Sequence, residues 1–104
     1  MTRVAFTMKL FPGFEEEYQK RHHALWPELE QLLTKHGIHE YSIFLDGATN
    51  TLFGFLKATD PKALDNLPSH PIMQQWWKYM SDIMETNPDN SPVSVSLKEV
   101  FYLP

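Results

Sequence analysis

Val4, Phe6, Met8 and Leu10 alternate with Ala5, Thr7 and Lys9, a period-2 pattern that predicts a strand with one face toward a core. Pro12-Gly13 ends it. From Phe14 the spacing becomes helical. Phe14, Tyr18, His22, Leu25, Leu29, Leu32 and Leu33 form one stripe, with Glu15, Glu16 and Glu17 at the positive amino-terminal end. His36-Gly37 is a stop signal. Pro27 falls inside this helix, where it removes a backbone hydrogen bond and collides with the carbonyl four residues earlier. A kink or a short restart is predicted, with the His23 carbonyl set free.

Tyr41, Ile43 and Leu45 alternate with Glu40, Ser42 and Phe44, and a turn at Asp46–Asn50 leads into the nearly continuous apolar run Leu52–Leu56. This is a strand, a turn and a more deeply buried strand. Thr59-Asp60-Pro61 opens a short helical piece that Pro68 and Pro71 interrupt, and Ile72, Trp76, Tyr79, Met80 and Ile83 restore helical spacing. The loop Asn87–Pro92 precedes a last strand predicted over Val93–Leu103.

The order β-α-β-β-α-β predicts an α+β, ferredoxin-like fold: a four-stranded antiparallel sheet with the helices on one face. Phe44, Phe53 and Phe55 would leave apolar side chains on the other face as well. That face marks an interface or a pocket, and a face-to-face homodimer would supply both.

Length and charge narrow the functional classes. The 104 residues fit a single domain, 1–104, able to hold a core without metal or disulfide. There is no cysteine, so disulfides and thiolate zinc sites are excluded and the composition suits a reducing cytoplasm. No stretch approaches a membrane span, and the first residues do not read as an export signal. With a formal charge of -4 and its nine Lys and Arg scattered, the chain lacks the basic stripe that nucleic acid requires.

The candidate chemistry is aromatic. Trp76 and Trp77 are adjacent, and neighbours on a helix point about 100° apart, so one indole can face the core while the other looks along its rim. Such a surface suits the apolar face of a sugar or another small ring; the alternative is that both rings simply fill core. Tyr18 and His22 lie four apart on one helical face, within reach of a common ligand, and an imidazole exchanges a proton near neutral pH. A hydrogen-bonded packing histidine is the competing reading. Neither His22-His23 nor His36/His39 places two imidazoles on one cation, so no metal is expected. Glu28 and Glu30 rank below His22 as a solvated helix face, and Asn90 and Ser91 either close a pocket or make a turn. No phosphate cradle or nucleophile turn is present, and no cofactor is expected.

As a set, Glu16–His22, Leu25-Trp26-Pro27-Glu28-Leu29-Glu30, Trp76-Trp77-Lys78-Tyr79-Met80, Asn87–Val93 and the closing Glu99–Pro104 resemble the L-rhamnose mutarotase family. The chain departs from the family pattern at His23-Ala24, where Asn and Pro are expected, and from Ala58 to Pro71. The resemblance implies a cytoplasmic homodimer, a dimeric α+β barrel, that interconverts the α and β anomers of L-rhamnose without a cofactor. It also implies that His22 is the proton donor and that Tyr18, Tyr41, Trp76 and Trp77 bind the sugar. On this reading protonated His22 gives its proton to the ring oxygen, while a water or another polar group takes one from the anomeric hydroxyl. Two other classes fit the residues: a sugar-binding module that turns nothing over, and a cofactor-independent oxygenase on the same sheet scaffold.

Overall fold

A computed structural model describes all residues, Met1–Pro104. Its four strands are β1 (Thr2–Lys9), β2 (Ile38–Asp46), β3 (Thr51–Ala58) and β4 (Val95–Leu97), in the order β2-β3-β1-β4 with every pairing antiparallel. This is the ferredoxin-like arrangement. The helices are α1 (Glu15–His23), α2 (Pro27–Lys35) and α3 (Pro71–Met80), with a 3-10 segment, Pro61–Ser69, before α3.

The long helix expected from the Phe14–Leu33 stripe is two helices. Trp26, the residue before Pro27, sits at φ -61°, ψ 128°, extended as a residue preceding proline prefers. Pro27 then becomes the first residue of α2, where its missing N–H costs nothing. The stripe still faces inward across the break: Tyr18 and Leu29 are buried, and Leu25, Leu32 and Leu33 pack beside them.

One cluster joins sheet and helices. Met8 and Leu10 from β1 and its end, Leu52 from β3, Tyr18, Leu29, Trp76 and Met80 from the helices, and Ile83 and Met84 beyond α3 are all buried together. Side chains alternate across strands, so the residues between them face the other way. Register then lines up Val95, Thr7, Phe53 and Phe44 in one row and Leu97, Ala5, Phe55 and Ser42 in the next. Within these rows Phe44 and Val95 are 67% and 61% exposed.

The last strand is shorter than its apolar pattern predicts. Backbone pairing with β1 covers Val95–Leu97, and beyond it the chain is held by side chains instead. Arg3 donates two hydrogen bonds to the Glu99 carboxylate, at 3.1 and 2.8 Å, and its guanidinium lies 3.4 Å from the Tyr102 ring centroid. Val100, Phe101 and Leu103 remain exposed.

Two local devices aim side chains at the helix layer. Gly54 stands opposite Phe6, and a Cβ there would come within 2.5 Å of Phe6 Cζ, so the absent side chain is what lets the ring lie across β3. In β2, Glu40 and Tyr41 together oppose the single residue Leu56, because His39 pairs with Lys57 and Ser42 with Phe55. This β-bulge puts Glu40 at φ 48°, a left-handed conformation rare outside glycine, and its carboxylate pairs with Lys57 at 2.9 Å.

Candidate active site

α1 presents Tyr18 and His22 one turn apart. Their rings stack with centroids 4.2 Å apart and planes 27° from parallel. Trp76, from α3, brings its ring to 5.4 Å from the imidazole at 89°, an edge-to-face contact. Tyr41, on β2, meets Phe6 edge-on at 6.2 Å. Tyr18, His22 and Trp76 are thus in ring contact, while the ring contact of Tyr41 is with Phe6.

Trp77 points elsewhere. It is half-buried beside the core and lines a cleft of about 470 Å³ with Pro68, Pro71, Gln74, Gln75, Lys78, Asp89 and Asn90. The two indoles divide as helical geometry requires, one inward to His22 and one along the rim. Asn90 belongs to this cleft, while Ser91 bonds Asp89 within its own loop. Glu28 and Glu30 are exposed on α2.

The protonation states follow from the surroundings. His22 Nδ1 lies 3.0 Å from the Tyr18 carbonyl oxygen, and a carbonyl only accepts, so Nδ1 carries the hydrogen. The Nε2 lone pair of the neutral ring stays free. Burial lowers the His22 pKa from its ordinary value against the opposing pull of that hydrogen bond, and neighbouring His23 lowers it further. Burial raises the pKa of the Tyr18 phenol far above its ordinary value, with a smaller contribution from Tyr41. Tyr41 has 39% of its surface open, yet the protein around its phenol is dense enough that burial pushes its pKa up to about 12. Both phenols are thus neutral hydroxyls, able to donate or accept but not to act as bases near neutral pH. No sealed side-chain nitrogen or oxygen lacks a partner.

Residues outside the predicted set hold this group together. Trp26, at the break between α1 and α2, meets Trp76 edge-on at 5.0 Å and stacks on Tyr79 at 5.5 Å. Arg21 lies over Tyr79 at 4.4 Å, donates to the Tyr79 carbonyl at 2.7 Å, and pairs with Asp82 and Glu17 at 2.8 Å each. The sequence signal for Tyr79 was its place three residues after Trp76; nothing local marks Trp26 as a contact of α3.

A model of the L-rhamnose mutarotase family matches residues 3–103. The chain belongs to this family. An L-rhamnose mutarotase of Listeria monocytogenes serotype 4b (strain F2365) is 54% identical over 103 residues, 99% of each chain. The crystal structure of an L-rhamnose mutarotase from Formosa agariphila superposes with a TM-score of 0.93 at 51% identity, covering 100% of both chains. An antibiotic biosynthesis monooxygenase shares the fold alone, with a TM-score of 0.62 at 14% identity over 96% of this chain and 99% of its own. Membership of the family favours an isomerase over the oxygenase and the inert binding module.

Proposed function

We propose that this chain is an L-rhamnose mutarotase, interconverting the α and β anomers of L-rhamnopyranose by opening and reclosing the ring, with His22 as its proton-transfer residue. The family assignment supports the reaction. The observation that supports the residue is the imidazole stacked on Tyr18 and met edge-on by Trp76, with Nδ1 fixed by a carbonyl and Nε2 free.

The lowered pKa of His22 favours a different order of events from the one the sequence alone led us to expect. The neutral imidazole acts first as a base. Nε2 takes the proton of the anomeric hydroxyl, the O–H electron pair forms the C1 carbonyl, and the C1–O5 bond breaks toward O5. The imidazolium so formed gives that proton to O5. Rotation of the open aldehyde about C1–C2 presents its other face, and the same transfers in reverse close the ring. One imidazole serves as acceptor and donor, so no second titrating group is required. A well-placed acid or base contributes about 10²- to 10⁴-fold, enough for a reaction that already proceeds in water.

Trp76 offers an apolar wall for the sugar face and the deoxy methyl, and the Tyr18 and Tyr41 hydroxyls bind sugar hydroxyls, while Trp77, expected from the family resemblance to bind the sugar too, lines the neighbouring cleft. The working form is a homodimer, supported by the apolar rows on the free face of the sheet, which water would otherwise cover. No helix is long and apolar enough to cross a membrane. The absence of cysteine supports a reducing cytoplasm as its location.

Saturation-transfer NMR on L-rhamnose tests the reading. The protein should move magnetisation between anomers faster than buffer, and His22→Ala should remove the acceleration while leaving the circular dichroism spectrum intact. Broadened sugar signals without faster exchange would mean a binder, and unchanged exchange in His22→Ala would discard the imidazole.

A further inference from the structure

The aromatic contacts extend well beyond the sugar-binding set. They run Arg21, Tyr79, Trp26, Trp76, His22 and Tyr18, each in ring or cation contact with the next. Trp26 is the link that joins two halves. It belongs to neither α1 nor α3 but to the three-residue break between α1 and α2, and it touches Trp76 at 5.0 Å with planes 88° apart.

Trp76 is packed in the main core, and its ring contacts add to that packing a specific orientation. Its ring meets His22 edge-on at one place and Trp26 edge-on at another, with Tyr79 at 5.6 Å and 60°. Tyr79 is itself stacked on Trp26 at 28° and is 43% exposed, so Trp26 bears on Trp76 both directly and through Tyr79. The backbone of Trp26 is fixed independently. Pro27 restricts it to extended geometry, and its carbonyl accepts the Glu30 N–H at 3.0 Å, the first bond of α2.

We propose that Trp26 is a positioning residue: anchored by the proline break, it sets the orientation of Trp76 and through it the placement of the His22 imidazole. Trp26 acts through Trp76 and has no proton to transfer in the reaction. The inference rests on the proposed mutarotase activity for its kinetic readout but not for its spectroscopic one. A displacement of a catalytic group by about 1 Å can cost about 100-fold in rate, so the buttress has room to matter.

The test compares Trp26→Leu, which keeps an apolar filling without the ring edge, with Trp26→Phe, which keeps a smaller ring. L-rhamnose exchange is measured for kcat and KM, alongside the imidazole titration of His22 by NMR in the sugar-free protein. Of the groups around His22, His23 acts on that titration by its charge and Tyr18 through its backbone carbonyl. Expected are a kcat about 10- to 100-fold lower in Trp26→Leu, with a smaller change in KM, and substantial recovery in Trp26→Phe. The His22 titration should move in the same order, back toward its ordinary value as the imidazole loosens. Equal kcat per folded molecule and an unmoved His22 titration in Trp26→Leu would overturn the proposal. If that variant does not fold, the same two measurements on Trp26→Met, which also lacks the ring, decide it, unchanged values again being fatal. A wild-type protein that exchanges no anomers would sink the function, while the titration would still judge the buttress.

Discussion

The imidazole of His22 lies almost parallel to the phenol of Tyr18, with 4.2 Å between ring centroids, and the same helical turn supplies the carbonyl that holds its Nδ1. Both contacts come from the four-residue spacing, so a single turn of helix orients the ring and sets its tautomer. The pH dependence of catalysis follows. Because the lowered pKa keeps the ring neutral, kcat/KM should be level at neutral pH and fall only on acidification, with a midpoint below 6.5. The phenols titrate too high to add an alkaline limb near neutrality. Exchange rates corrected for buffer across pH 4.5 to 9 check this; a midpoint above about 6.5 would restore the protonated acid as the resting form.

Tyr18→Phe separates the hydroxyl from the ring. The stack on His22 should survive, so the imidazole titration should hardly move, while loss of one sugar hydrogen bond of about 1 kcal/mol raises KM roughly fivefold. Kinetics and NMR on the same sample read both quantities. A large shift in the titration would assign the phenol hydroxyl a direct role at His22.

Gly54→Ala places a methyl where Phe6 now lies. Backbone and ring must move apart, at about 1–3 kcal/mol of stability, seen as a lower urea midpoint. Since Phe6 meets Tyr41, the weakened variant should also bind the sugar less tightly.

Phe53→Glu adds a charge to the free face of the sheet, where Phe53 is 40% exposed and outside the main core. The single chain should fold as before. Sedimentation should show wild type at twice the chain mass and the variant at one chain; a wild type that sediments as one chain refutes the homodimer.

Much of this was readable from the residues because it depends on periodicity. The alternation in β1, the helical stripe from Phe14 to Leu33 and the spacing of Trp76 with Met80 each report which face is buried, and the buried clusters follow them. Tyr18 and His22 came together for the same reason. The split at Pro27 was legible as an interruption, but whether a helix bends or restarts depends on packing on either side. At the carboxyl end, the apolar content of Val93–Leu103 promised a longer strand than Val95–Leu97, because a propensity cannot foresee that Arg3 will bind Glu99 and Tyr102 in place of a backbone ladder. Trp26 was hidden for a related reason: its partners lie on α3, and no local pattern encodes a contact at that separation.

The doubled residues Glu40 and Tyr41 opposite Leu56 leave the flanking pairs Ile38 with Ala58 and Ile43 with Gly54 on the helix side of the sheet. A change confined to the doublet can therefore swing Tyr41 without sliding the rest of the hairpin. Shortening the strand there by one residue would redirect one phenol while the scaffold stays put, whereas glycine at the left-handed site would suit the bulge and keep it. The bulge gives the direction of one phenol its own control, separate from the pairing of the strand on either side.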